Sequence, residues 1–171
     1  MIYINIGSNL SSKNGDRTFN IKRAIDLICF EKIKIIKKSS LYETPSYPNK
    51  KDPKFLNICL EIESFYKPSV LIKKFKIIEK KLQRSIGPRN QPRTCDIDII
   101  DYKGKKIKSK ELTIPHPRAH LRNFVLFPLY EISTEWVHPI LNKKIEYLIN
   151  KLKLNSRNEI TKIEETAMIK K

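Results

Sequence analysis

Near the N-terminus, Ile2-Tyr3-Ile4-Asn5-Ile6 alternates apolar and polar side chains with the two-residue period of a strand. It runs into Gly7-Ser8-Asn9-Leu10 and a polar loop through Gly15, after which Asp16 is placed to cap a helix. Ile21, Ala24, Ile25 and Ile28 give that helix one apolar face. A second strand is expected within 33–42, followed by a Pro- and Lys-rich loop over 44–54, a length more often functional than idle. A third strand over 56–63 leads into a strongly amphipathic helix carrying Leu71, Ile72, Phe75, Ile78 and Leu82. The polar loop over 83–94, punctuated by Gly87, Pro88 and Pro92, precedes a strand over 96–102. Lys103-Gly104 predicts a turn into a short partner strand reaching Ile107. Segment 115–131 mixes helical and irregular character, 145–152 predicts a helix, and 155 onward a surface strand or frayed tail.

The order strand, helix, strand, strand, helix, strand is the split βαβ pattern of ferredoxin-like folds. The expected class is therefore α+β, an antiparallel sheet with helices packed on it plus C-terminal additions. A chain of 171 residues suits a single domain, with its core over about 1–152 and a terminal strand or tail over 153–171. Because that fold hosts enzymes and RNA-binding modules alike, the side chains must decide the function.

The chain carries 35 Lys and Arg against 18 Asp and Glu, a net charge of +17 that invites a nucleic-acid reading. Most of the positive charge is lysine spread along the whole chain. Five of the eight arginines, Arg84, Arg89, Arg93, Arg118 and Arg122, crowd into the third quarter of the sequence. Three cysteines, Cys29, Cys59 and Cys95, cannot all pair within one chain and form no Cys-x-x-Cys, so they read as reduced core residues of a cytoplasmic protein. Met1 leads straight into a strand rather than a leader, and no stretch is apolar for long enough to span a bilayer, so neither export nor a membrane partner is expected.

The sharpest local signal is Pro92-Arg93-Thr94-Cys95-Asp96-Ile97-Asp98-Ile99-Ile100. On a strand, Asp96 and Asp98 project from one face while Cys95, Ile97 and Ile99 face the core. Two carboxylates roughly 6–7 Å apart along a strand suit hard cations. Magnesium accepts one or two protein carboxylates and fills its other positions with water and phosphate oxygens. An isolated Asp-x-Asp is more often the wet face of a strand. Here Arg84, Arg89 and Arg93 precede it and His116, Arg118, His120 and Arg122 follow it, which suits polyphosphate held by metal and guanidinium together. His120 and His138 are left as surface or structural residues.

Five segments in order resemble one family. They are Ile6-Gly7-Ser8-Asn9-Leu10; Ser40-Leu41-Tyr42-Glu43-Thr44-Pro45; Phe55-Leu56-Asn57; the Arg93 to Ile99 stretch; and Ile114-Pro115-His116 through Arg122-Asn123-Phe124. Together they resemble 6-hydroxymethyl-7,8-dihydropterin pyrophosphokinase, which makes the activated pterin used for folate. The resemblance implies a monomeric enzyme that uses ATP and Mg2+, with two ions on Asp96 and Asp98. It implies ATP contacts at Glu79, Arg84, Arg93, Thr113, His116 and Arg122, with Ile99 on the adenine side. It implies a pterin pocket of Thr44, Pro45, Tyr47, Phe55, Asn57 and Phe124. Flat aromatic faces suit the ring, and an amide suits its hydrogen-bonding edge. Arg84, Arg93, Asp96 and Asp98 carry the catalysis by the same resemblance, with loops 44–54 and 83–92 closing over the reactants.

The sequence departs from the family in places. The loop between Arg84 and Arg93 is one residue shorter than in well-known members. Ile86 stands where a further arginine is common, Asn90 where some members have tryptophan, Phe55 where many have tyrosine, and Pro117 where some have tyrosine. Two rival readings are a ferredoxin-like nucleic-acid-binding module and another Mg-dependent nucleotidyltransferase. The first is opposed by the lack of a Lys/Arg-Gly-Phe signature and by an acidic pair among the arginines. The second differs in its product, pyrophosphate rather than AMP.

Overall fold

The computed structural model describes residues 1–84 and 91–163. A sheet runs in the order β5 (Asp96–Tyr102), β1 (Ile2–Ser8), β4 (Phe55–Glu63), β3 (Leu41–Thr44) and β8 (Thr161–Ile163), with β2 (Lys34–Lys38) also paired to β4. These pairings are all antiparallel. Helices α1 (Arg17–Phe30) and α2 (Pro68–Lys81) complete the βαββαβ order of a ferredoxin-like α+β core. Asp16 caps α1 as expected, its side chain accepting the Phe19 N–H.

The single strand expected within 33–42 is two. Ser39 interrupts it: its N–H donates to Cys59 O, and its Oγ accepts the Cys59 N–H, so a side chain takes over one rung of the ladder. The strand reaching Ile107 also differs from expectation. β6 (Ile107–Lys108) pairs with β7 (Thr113–Ile114) rather than with β5, because the turn at Lys103 and Gly104, both at positive φ, carries the chain away from the sheet. The C-terminal stretch holds a short helix, α5 (Leu154–Asn158), before β8; residues 164–171 lie outside the described residues.

The main difference lies in burial. Strands β1 and β4 are buried on both faces, although β1 alternates in sequence. Ile2, Ile4, Ile6, Leu56, Ile58, Leu60 and Ile62 pack with Ile21, Ala24, Ile28, Leu71, Phe75 and Ile78 of α1 and α2. Tyr3 and Cys59 enter a second core with α3 (Asn123–Ile132) and α4 (Ile145–Lys151), built on Val125, Leu126, Leu129, Trp136, Ile145 and Leu148. The C-terminal elements thus cover the second face of the sheet at its Tyr3 end. Each large aliphatic side chain buried this way contributes roughly 1.5–3 kcal/mol relative to exposure. Of the cysteines, Cys59 and Cys95 are buried as expected, whereas Cys29 is exposed because it falls on the outer side of α1.

A register shift in the β1–β5 pairing lets Ile4 oppose Ile99 while Tyr3 opposes Asp101, leaving Ile100 as an extra residue. Ile97 and Ile99 therefore stay in the first core, and Ile100 turns to the second. Asp101 accepts a hydrogen bond from Trp136 Nε1 at 2.8 Å, which ties the bulge to the second core.

Candidate active site

Beyond the end covered by α3 and α4, the second face of the sheet presents polar side chains in adjacent register. Asn57 pairs with Gly7, Gly7 with Asp96, and Asn5 with Asp98, so β4, β1 and β5 set these residues side by side. Gly7 keeps the floor low between them. A Cβ there would stand 3.0 Å from Asn57 Oδ1 and 3.6 Å from Phe55 Cδ1.

On one side of this floor the cations converge. Arg84 Nη1 lies 2.6 Å from Glu79 Oε2 and 2.6 Å from Asp96 Oδ1, and Arg93 Nη1 donates to Asp96 Oδ2 at 2.9 Å. Glu79 is only 2% exposed. It accepts from the Ile97 N–H at 2.8 Å and is held by Lys76 Nζ, so it reaches the site through Arg84. Asp98 Oδ2 is 3.8 Å from both His116 Nε2 and Arg122 Nη1. The His116 N–H donates to Ile100 O at 3.0 Å, which fixes this segment against β5.

The two carboxylates differ in ionisation. Burial alone raises Asp96, but Arg84, Arg93 and Lys76 outweigh it and hold the group below the ordinary carboxylate value. Burial and the negative charge of Asp96 push Asp98 up to about 6, against the pull of Lys76 and Arg122. Burial, followed by Arg122 and Arg118, pushes His116 down to about 4, so its ring is neutral at pH 7. Since His116 Nδ1 accepts the Arg118 N–H at 3.2 Å, the ring hydrogen sits on Nε2. Arg122 Nη1, 3.5 Å away, is also a donor. These two donors converge, and Asp98 Oδ2 at 3.8 Å is beyond hydrogen-bond distance of either, so together they make a place for an anionic oxygen.

On the other side lie the flat groups. Thr44 and Asn57 are buried, with Asn57 Nδ2 donating to Thr44 Oγ1 at 3.4 Å, and Phe55 and Phe124 are half-buried. The Arg122 guanidinium carbon stands 5.3 Å from the centre of the Phe124 ring, joining the two sides. Pro128 inside α3 has no N–H for the Phe124 carbonyl one turn earlier. With its amide nitrogen turned towards the carbonyls, Asn5 donates to Phe124 O at 3.3 Å and to Ile58 O at 3.2 Å. The start of α3 is thereby tied to β1.

The structure brings together Arg84, Arg93, Asp96, Asp98, His116 and Arg122, and beside them Thr44, Asn57, Phe55 and Phe124. Pro45 follows Thr44 at the start of the 44–54 loop and is half-buried. Three expected residues stand apart. Tyr47 is 80% exposed, Ile99 has its side chain in the first core on the opposite face, and Thr113 lies on β7, with no side-chain hydrogen bond to the cluster among the described residues. Arg89, Ile86 and Asn90 lie outside the described residues.

Four contributors had no role assigned from the sequence: Gly7, Asn5, Lys76 and Asn9, whose Oδ1 accepts the Arg93 backbone N–H at 2.7 Å. Gly7 and Asn9 fall in the first of the five family-like segments, Lys76 had its three-residue spacing from Glu79 on one helix face, and Asn5 had no signal of either kind.

A family model described as 7,8-dihydro-6-hydroxymethylpterin-pyrophosphokinase (HPPK) matches residues 3–134. The chain belongs to the HPPK family. It is 35% identical over 145 residues to the 2-amino-4-hydroxy-6-hydroxymethyldihydropteridine pyrophosphokinase of Aquifex aeolicus, covering 85% of this chain and 88% of that protein. It is 38% identical over 151 residues to the folic acid synthesis protein fol1 of Pneumocystis carinii, covering 88% of this chain but only 20% of that longer protein. A solved Plasmodium falciparum HPPK-DHPS bound to pteroate superposes with a TM-score of 0.71 at 18% identity, over 95% of this chain and 46% of the other. That likeness shows that the ferredoxin-like core with its C-terminal helices is the fold of an HPPK unit.

The donor set also fits Mg2+. No cluster of three or more metal-ligating side chains occurs among the described residues. Two carboxylates on one face, one of them destabilised by the other's charge, suit a hard cation that keeps positions for water and phosphate oxygens.

Proposed function

We propose that this chain transfers pyrophosphate from ATP to the hydroxymethyl oxygen of 6-hydroxymethyl-7,8-dihydropterin, releasing AMP, as a step of folate biosynthesis. The pterin oxygen attacks the β-phosphorus of ATP, the bond from that phosphorus to the oxygen bridging the α-phosphate breaks, and the β,γ-diphosphate moves as one unit. The observation that carries this reading is the sharing of one sheet face by the Asp96 and Asp98 carboxylates, four convergent cationic or donor side chains, and a flat-walled amide pocket.

Asp96 and Asp98 would hold two Mg2+ ions, which supply neutralisation of the triphosphate and polarisation of its phosphorus. Arg84 and Arg93, which now bind Asp96, would bind phosphate oxygens of the nucleotide. The Nε2–H of His116 and the guanidinium of Arg122 bind a third phosphate edge. Glu79 orients Arg84, and Ile99 and Thr113 meet the nucleotide through the edge of β5 and β7. Phe55 and Phe124 stack on the pterin while Thr44 and Asn57 bind its amide edge. Pro45 and Tyr47 belong to the 44–54 loop, which closes over the ring and excludes water.

In this reading the described fold is one catalytic unit, working as a monomer in the cytoplasm. Unpaired, buried Cys59 and Cys95 suit a reducing compartment. No helix among the described residues is long and apolar enough to cross a membrane.

Incubation with ATP, Mg2+ and the pterin alcohol tests the proposal: AMP must appear only when the pterin is present. Release of pyrophosphate instead identifies a nucleotidyltransferase. Tight RNA binding that survives moderate salt, with no AMP, identifies a nucleic-acid module.

A further inference from the structure

Asn9 follows β1 and is 1% exposed, with no side-chain atom facing the carboxylates closely enough to bond them. Its amide is nonetheless fully used. Oδ1 accepts the Arg93 backbone N–H at 2.7 Å, and Nδ2 donates to Ser46 Oγ at 3.2 Å and to Pro53 O at 3.1 Å. Ser46 Oγ in turn donates to Pro53 O. The backbone adds a second tie to Arg93, since the N–H groups of Asn9 and Leu10 both donate to Arg93 O, at 3.0 and 3.2 Å. The orientation of the amide is fixed by its partners, because swapping its ends would set its oxygen against a carbonyl and its nitrogen against an N–H.

These contacts join two segments that serve different substrates. Arg93 reaches Asp96 on the phosphate side, while Ser46 and Pro53 sit near the two ends of the loop that begins at Thr44 and Pro45. One buried amide is therefore a common anchor for the phosphate side and the pterin side. We propose that Asn9 is a positioning residue that sets Arg93 and the 44–54 loop in mutual register, so that the pterin oxygen and the β-phosphorus meet in line. The inference rests on the pyrophosphoryl-transfer reading above.

The two ends of the amide have separable effects. Asn9→Ala removes both arms. Asn9→Asp keeps an oxygen for the Arg93 N–H but sets a carboxylate oxygen against Pro53 O, so the loop arm alone is broken. Ser46→Ala weakens the loop arm without touching Asn9. Steady-state AMP release by the full chain, with ATP and the pterin alcohol varied in turn, reads each arm. Asn9→Ala should lower kcat/KM by roughly 10²-fold and raise KM for both substrates, as expected when reacting groups lose about 1 Å of registration. Asn9→Asp and Ser46→Ala should raise KM for the pterin several-fold and leave KM for ATP within twofold of the parent.

A lower melting temperature with kinetics unchanged overturns the proposal and leaves Asn9 a packing residue. If Asn9→Ala does not fold, the KM split in Asn9→Asp and Ser46→Ala decides alone, and a pterin KM within twofold of the parent in both rejects the idea. A parent chain that releases no AMP in response to pterin overturns this inference and the functional reading together. An active parent with indifferent variants overturns this inference only.

Discussion

Asp96 and Asp98 stand two residues apart on one face of β5 and are held on opposite sides of the ordinary carboxylate value. Asp96 has two guanidinium groups within 2.9 Å, whereas Asp98 has its nearest cationic nitrogen at 3.8 Å and feels the charge of Asp96. Asp96 is thus matched by two close guanidinium groups, whereas Asp98 is drawn only by Lys76 and Arg122 from farther off.

Asp98→Asn should cost nearly all turnover and yet stabilise the free protein. The folded-state pKa of Asp98 is raised, so its ionisation opposes folding, and the penalty grows as pH rises from about 4 through about 6. At pH 7 the substitution should add on the order of 1–2 kcal/mol, discounted because the side chain is 30% exposed. Near pH 4 the gain should vanish. Thermal melts of both proteins at pH 7 and pH 4, without divalent ions, check the sign.

Arg93→Ala should slow the chemical step by roughly 10³-fold or more, as for other arginines that stabilise charge in phosphoryl transfer. Single-turnover AMP release measures it. A loss below tenfold assigns Arg93 to packing alone.

Phe124→Leu should raise KM for the pterin by roughly 2- to 10-fold, the range of one lost aromatic contact. Since Arg122 also stands over this ring, a smaller rise in KM for ATP should accompany it. Initial-rate measurements with each substrate varied separate the two effects.

Acid should loosen the second core through His138. This side chain is 3% exposed, and its Nδ1 accepts the N–H groups of Ile140 and Leu141 at 3.2 and 3.3 Å, which protonation at Nδ1 would break. Burial, and then His120, lower its folded pKa. Its contribution is therefore complete above the unfolded value of about 6.5 and is lost as pH falls below it. His138→Asn, which keeps an acceptor that cannot titrate, should flatten the dependence of the melting temperature on pH below that value.

Much of this architecture follows from short-range patterns. The three-to-four spacing of Leu71, Phe75 and Ile78 defined the buried face of α2, Asp16 marked the start of α1, and the two-residue spacing of Asp96 and Asp98 placed both carboxylates on one side of a strand. Local chain geometry decides each of these, so each was legible without a fold. The resemblance to the HPPK family also rested on local strings of residues, and the family match over residues 3–134 agrees with it.

What the sequence determined by itself was the main helices and strands of the βαββαβ core, the family, and the chemical types gathered around the carboxylates. Only the tertiary structure decided that both faces of β1 and β4 are covered, that Arg84 bridges Asp96 to a buried Glu79, and that Asn9 anchors two distant loops. The physical reason is range. A helix or strand period is set by bonds between near neighbours, whereas the contacts of Asn9 span 37, 44 and 84 positions along the chain. They come into being only when the sheet brings β1 beside β4 and β5.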